Sequence, residues 1–212
     1  MNHMNTAPGY LLIVEDDPDI LKLLHTTLKF RGYRVVTARN GKEGLDAVHK
    51  ERPTIVIADI MMPRLDGFGL VHRLRLDPET RNIPVVFITA TYVTPEDKDF
   101  ALNIGATRFL QKPVDLEEFL ATIVDLLQQG PIPATEPLKE FNFYEGYRIR
   151  LEAKLAQKER QIVRDEHLLK TQEDAGNESL QASLRQAREE REELKLLLEQ
   201  VHIQLEKLTK TR

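Results

Sequence analysis

The sequence predicts an α/β protein, a doubly wound sheet of five parallel strands followed by an α-helical coiled coil, and three observations predict it. From Tyr10 to Gln129, short continuous apolar runs alternate with amphipathic stretches, the pattern of strands buried on both faces by crossover helices. A proline- and glycine-bearing break, QGPIPATEPLKE from Gln129 to Glu140, cannot continue a helix and reads as an extended linker. From Arg148 onward there is no proline, and Leu, Glu, Lys, Arg and Gln dominate, so that stretch reads as long helix. The expected division is a domain over 9–129, a linker over 130–140 and a helical segment over 141–212.

The apolar runs Tyr10 to Val14, Tyr33 to Thr37, Ile55 to Ala58, Pro84 to Thr89 and Arg108 to Leu110 are the five expected strands. Between them, cap chemistry marks the helix starts. Asp17 before Pro18, Asn40 with Glu43, Thr94-Pro95 with Asp97, and Asp115 with Glu118 each offer a side-chain acceptor to the unpaired amides of a first turn. Helices are expected to begin near residues 18, 41, 67, 95 and 116. Sheets of this kind place their ligand sites beyond the carboxyl ends of the strands.

In the tail, Leu180, Leu184, Ala187, Leu194, Leu198, Val201, Leu205 and Leu208 fall on the a and d positions of one heptad frame, interrupted by Arg191. Upstream, Leu155, Ile162 and Leu169 also recur every seven residues, but Lys158 and Asp165 occupy the partner positions. Asp174-Ala175-Gly176-Asn177 lies between the two frames. It reads as a hairpin turn between antiparallel helices or as a skip in one continuous helix.

Composition narrows the function. Hydrophobic residues make up 41% of the 212, charged residues 30% and aromatics 6%, a polar average for one core of that length. There is no cysteine, which excludes disulfides, thiolate metal sites and a cysteine nucleophile. No apolar run approaches the roughly 20 residues that span a bilayer. The segment from Met1 to Gly9 has neither a basic stretch nor an apolar core, so a cytoplasmic protein is expected. A net charge of -4, with 14 acidic and 14 basic residues after position 140, argues against nucleic acid as a partner.

The expected strand ends carry the chemistry. Glu15-Asp16-Asp17 follows the first strand and Asp59 the third, so carboxylates converge on one edge and call for a cation. Mg2+ suits an all-oxygen site of this kind. Thr89 ends the fourth strand and Lys112-Pro113 follows the fifth, adding a hydroxyl and an ammonium. These are the parts needed for phosphoryl transfer to an aspartate: a nucleophile, and donors for the transferring oxygens. Asp17 and Asp66 read instead as helix caps. Gly67-Phe68-Gly69 is too short for a dinucleotide loop.

Leu11 to Asp17, Asp59-Ile60-Met61-Met62-Pro63 with Leu65-Asp66-Gly67, Thr89-Ala90, Gly105-Ala106, and Phe109-Leu110-Gln111-Lys112-Pro113 together resemble the receiver domain of bacterial two-component response regulators. The likeness runs in unbroken order over residues 9 to 129. It implies a flavodoxin-like sheet of order 2-1-3-4-5. It further implies Asp59 as phosphoacceptor, Glu15 and Asp16 as the acidic pair, and Mg2+ on Asp16, Asp59 and the Met61 carbonyl, with Glu15 in support. Lys112 is expected on the phosphoryl group, and Thr89 with Phe109 as the switch pair. A sensor histidine kinase or phosphotransfer protein is the implied donor. Arg108 departs from the family pattern, which commonly has an acidic residue before the aromatic.

The expected function is a response regulator that signals through a coiled-coil protein-interaction module rather than DNA, with no enzymatic activity beyond its own phosphorylation and dephosphorylation. A homodimer through the tail and an unidentified downstream protein are the expected partners. The alternative is a phosphotransferase intermediate using His167 on a dimeric helical hairpin. His167-Leu168-Leu169-Lys170-Thr171 faintly resembles a histidine kinase phosphorylation box, but Leu168 and Gln172 replace its acidic residue and proline. A dehalogenase-like phosphatase would carry a second aspartate where Met61 stands.

Overall fold

A computed structural model describes residues 9–89, 94–133, 137–171 and 177–210. The chain forms two compact units, one ending at Leu138 and the other beginning at Lys139.

The first unit alternates strand and helix. The strands are β1 (Leu11–Val14), β2 (Val35–Ala38), β3 (Ile55–Ala58), β4 (Val85–Thr89) and β5 (Arg108–Gln111). The helices are α1 (Pro18–Phe30), α2 (Gly41–Lys50), α3 (Gly67–Leu76), α4 (Pro95–Asn103) and α5 (Leu116–Gln129). All pairs are parallel, in the order β2-β1-β3-β4-β5, with Val14 level with Ala38 and Ala58, and Thr89 level with Gln111. β1, β3 and β4 are wholly buried, as continuous apolar runs in a doubly covered sheet require.

Leu24 and Leu28 of α1 and Phe119, Ile123 and Leu126 of α5 pack with Ile13, Ile57 and Val86 on one face. On the other face Phe68 of α3 meets Phe87 of β4 and Phe100 of α4 edge-on, with centroids 5.7 and 5.1 Å apart. Each such fully buried side chain contributes about 1.5–3 kcal/mol through removal from water.

The helices begin at the expected residues because the caps operate. Asp17 Oδ1 accepts from the amides of Asp19 and Ile20, Asn40 from Glu43, and Asp66 from Gly69. Thr94 and Asp97 form a reciprocal capping box. β2 begins two residues later than its apolar run suggests. Gly32 takes a φ of 85° and the chain is still turning at Tyr33, whose amide bonds back to Leu28 O.

The second unit consists of α6 (Glu140–Thr171) and α7 (Asn177–Lys210). They pack antiparallel. Ile162 and Leu169 meet Leu184 and Ala187, and Lys158 pairs with Glu190 at 2.5 Å while Glu166, further along α6, pairs with Arg188 at 2.7 Å, earlier on α7. Of the two expected arrangements the chain adopts the intrachain hairpin; of the expected turn Asp174 to Asn177, residues 174–176 lie outside the described residues and Asn177 opens α7. The weak half of the seam is explained by these contacts. Lys158 leaves the apolar stripe to pair with α7, and Asp165 is buried beside Arg164 at 3.4 Å.

Candidate functional site

The parallel register brings β1, β3, β4 and β5 to one edge, and the residues following their last positions converge there. Asp59 lies just beyond β3, buried, with Oδ1 accepting the Ile60 amide at 2.7 Å. Glu15 lies just beyond β1, buried, and accepts the Asp17 amide at 3.3 Å. Asp16 is exposed at the rim. One carboxylate oxygen from each of Glu15, Asp16 and Asp59 lies within 4.8 Å of the others.

Lys112 reaches into this cluster from the end of β5. Its Nζ is 2.9 Å from Glu15 Oε2, 3.0 Å from Glu15 Oε1 and 3.2 Å from Asp59 Oδ2. It is positioned by its own amide, which donates to Thr89 O at 2.7 Å and so ties the ends of β4 and β5 together.

Three carboxylates and one ammonium leave a surplus of negative charge in a poorly hydrated place. Burial, and then the neighbouring Asp59, push the Glu15 carboxyl up to about 7. Burial also raises the Asp59 carboxyl, against the pull of Lys112, and raises that of Asp16. Burial acts to lower the Lys112 ammonium, but Asp59 and Glu15 outweigh it and hold the group above its ordinary value. A divalent cation would relieve this repulsion, and the all-oxygen donor set matches what Mg2+ takes.

The other expected site residues are placed as follows. Thr89 is the last residue of β4 and is buried; Ala90, its partner in the motif, lies outside the described residues. Met61 is half-buried in the loop after Asp59. Phe109 is half-buried on β5, level with Phe87 of β4. Arg108 is paired with Asp125 of α5 at 3.1 Å. Asp17 and Asp66 cap α1 and α3, as expected, and stand outside the acidic trio. His167 is exposed on α6, in the second unit, within two turns of the helix end.

Two residues to which the sequence assigned no role in the site fix α3 at its two ends, Gly67 at this edge and Arg75 at the far one. Gly67 opens α3 directly against the end of β3. A Cβ there would lie 2.3 Å from Asp59 O and 2.8 Å from the Phe87 ring. Arg75, at the other end of α3, is wholly buried and donates twice to Gly105 O, at 3.1 and 2.7 Å. The signals were the glycines themselves: one after a cap residue, the other at a φ of 101° before β5, where a Cβ would meet the Arg75 side chain at 2.7 Å.

Among known proteins, a family model for the response regulator receiver domain matches residues 11–124. The uncharacterized transcriptional regulatory protein YkoG of Bacillus subtilis is 39% identical over 142 residues, covering 66% of this chain and 60% of its own length. The transcriptional regulatory protein GlrR of Escherichia coli is 40% identical over 134 residues, covering 63% of this chain and 29% of its own. The chain thus spans less than two thirds of the length of each of these relatives. Among solved structures, a putative response regulator from Chloroflexus aurantiacus superposes with a TM-score of 0.55 at 32% identity, covering 57% of this chain and 99% of that one. The chemotaxis protein CheY4 of Vibrio cholerae gives 0.53 at 32% identity, with the same coverage. With its sheet order, its acidic edge and more than half of its length matched, the chain belongs to the response regulator receiver domain family of two-component systems.

Proposed function

We propose that this protein is a phosphorylation switch whose phosphoacceptor is Asp59 and whose output is the α6–α7 hairpin. The observation that carries this is the double contact of Lys112 with Glu15 and Asp59 at an edge that also holds Asp16 and Thr89. A carboxylate oxygen of Asp59 attacks the phosphorus of a phosphohistidine on the donor protein or of acetyl phosphate. The new O–P bond forms as the donor's N–P or O–P bond breaks, and the leaving group departs with the electron pair. Lys112 moves from holding Asp59 to holding a phosphoryl oxygen, and the Thr89 hydroxyl donates to another. Glu15 and Asp16 would hold Mg2+ together with Asp59 and the Met61 carbonyl. When bound, that ion neutralises the charge gathered on the phosphoryl oxygens.

The chain is read as an acceptor rather than an enzyme acting on other substrates, because its only nucleophile at the site becomes the modified group. Its output is read as a protein contact. The hairpin carries balanced charge, and exposed apolar residues on both helices suit a second copy or a downstream protein better than nucleic acid. The relatives named above are transcriptional regulators by name, so transcription is the setting to test first for the downstream partner.

Labelling with acetyl phosphate tests the reading. The wild-type protein should gain one acid-labile, Mg2+-dependent phosphate and Asp59→Asn none. Equal labelling of the two would defeat it.

A further inference from the structure

We propose that the linker leaving α5 is held by the receiver's α3–β4 turn, and that this clamp passes the state of Asp59 to the hairpin. The inference rests on the phosphorylation switch proposed above.

The linker is not a free tether at its start. The Ile132 amide donates to the backbone carbonyl of Asn82 at 3.2 Å. Asn82 is itself fixed: Arg52 donates to its side-chain oxygen and, at 2.6 Å, to the carbonyl of Glu79. Thr80 braces the same turn by donating to Leu74 O at 2.9 Å, and the Ile83 amide closes it onto Thr80 O. Ile132 is the one residue between Pro131 and Pro133 that has an amide to give, so the contact is specified by the sequence on both sides.

The other end of α3 touches the chemistry. The Gly67 amide donates to Ile60 O at 2.9 Å, and there is no room for a Cβ between Gly67 and the Asp59 carbonyl. Between its ends, α3 is almost wholly buried, from Phe68 against β4 and α4 to Arg75 on Gly105. A close-packed helix of ten residues moves as a body rather than deforming. A displacement forced at Gly67 therefore reaches Asn82, and with it Ile132.

Amide exchange in the full chain, with and without Mg2+ and beryllofluoride as the phosphoryl mimic, tests the clamp. In the resting protein the Ile132 amide should exchange at least about tenfold more slowly than an unstructured amide. Adding beryllofluoride should change that rate by about threefold or more, alongside changes at Thr89 and in α6. Ile132→Pro, which removes the donor, and Arg52→Ala, which frees Asn82, should each abolish the α6 response while the Thr89 response persists. Unprotected Ile132, a Thr89 response without an Ile132 response, or an α6 response intact in both variants would overturn the clamp and leave the phosphorylation reading standing. No response at Thr89 in the wild-type protein would instead overturn both.

Discussion

Lys112 stands between two buried carboxylates, 2.9 Å from Glu15 and 3.2 Å from Asp59, and is the only cation within 4.0 Å of either among the described residues. Removing it leaves an acidic cluster without its neutralising partner, which is costly when the groups are desolvated. Lys112→Ala should lower the unfolding free energy at pH 7 by about 2–4 kcal/mol in urea titrations. The loss should shrink toward pH 5, because Glu15, pushed up to about 7, takes up a proton and sheds its charge on the way down.

Mg2+ should reverse part of the charge repulsion even in the wild-type protein. Thermal unfolding is expected to shift upward with millimolar Mg2+, through binding to the folded state alone. Asp16→Asn should weaken that response by about tenfold or more in apparent affinity, the equivalent of losing one contact to a charged group. An unchanged midpoint in both proteins would show that the trio holds no ion.

The helix starts of the receiver were legible because caps are local chemistry: Asp17, Asn40, Asp66, Thr94 and Asp115 each accept from amides two or three residues on. The convergence of Glu15, Asp59 and Lys112 was legible only as far as strand ends go. Which carboxylates Lys112 reaches depends on sheet order and side-chain reach, which periodicity does not carry. Arg75 and His72 were not legible as core residues. Polar side chains at helical spacing read as a solvated face, and only their burial and the Arg75 bonds to Gly105 O show otherwise. The hairpin was undecided because a heptad frame is indifferent to whether its partner is another chain or the preceding helix. The pairs Lys158–Glu190 and Glu166–Arg188 decide it.

Gly67→Ala should be poorly tolerated although it raises helix propensity. The added Cβ would meet backbone at 2.3 and 2.9 Å, atoms that cannot turn aside as a side chain would. A loss of about 2–3 kcal/mol is expected by denaturant titration, the range for overpacking. A neutral or stabilising effect would mean that α3 is free to shift at Asp59, contrary to the close packing at Gly67.

His72 should set part of the acid limb of stability. Burial, then the neighbouring Arg73, lower its imidazole to about 4. Between about pH 6.5 and 4 the unfolded chain therefore binds a proton that the folded chain does not, and stability falls as pH falls through that window. The contribution is about 1–3 kcal/mol at pH 4. His72→Gln should flatten the pH dependence between 6.5 and 4 relative to wild type; an unaltered slope would exclude His72 as its source. Glu15 works in the opposite sense, since its raised pKa favours the folded state as pH falls from about 7 toward 4.5.

The hairpin's two kinds of apolar residue should separate in mutation. Leu194 and Val201 are buried, whereas Val163, Leu196 and Ile203 are 66%, 59% and 45% exposed. Leu194→Ala should therefore cost about 2–5 kcal/mol and melt α6 and α7 together, seen as a loss of helical circular dichroism. Leu196→Glu with Ile203→Glu should leave the helical signal intact, because neither side chain is needed inside the hairpin. If the protein is a homodimer through this segment, as its exposed stripe suggests, that double variant should sediment as a monomer at concentrations where the wild-type chain sediments as a dimer. A wild-type chain that is monomeric up to about 100 μM, weaker than roughly 5.5 kcal/mol of association, would refute the dimer and assign the stripe to a different protein.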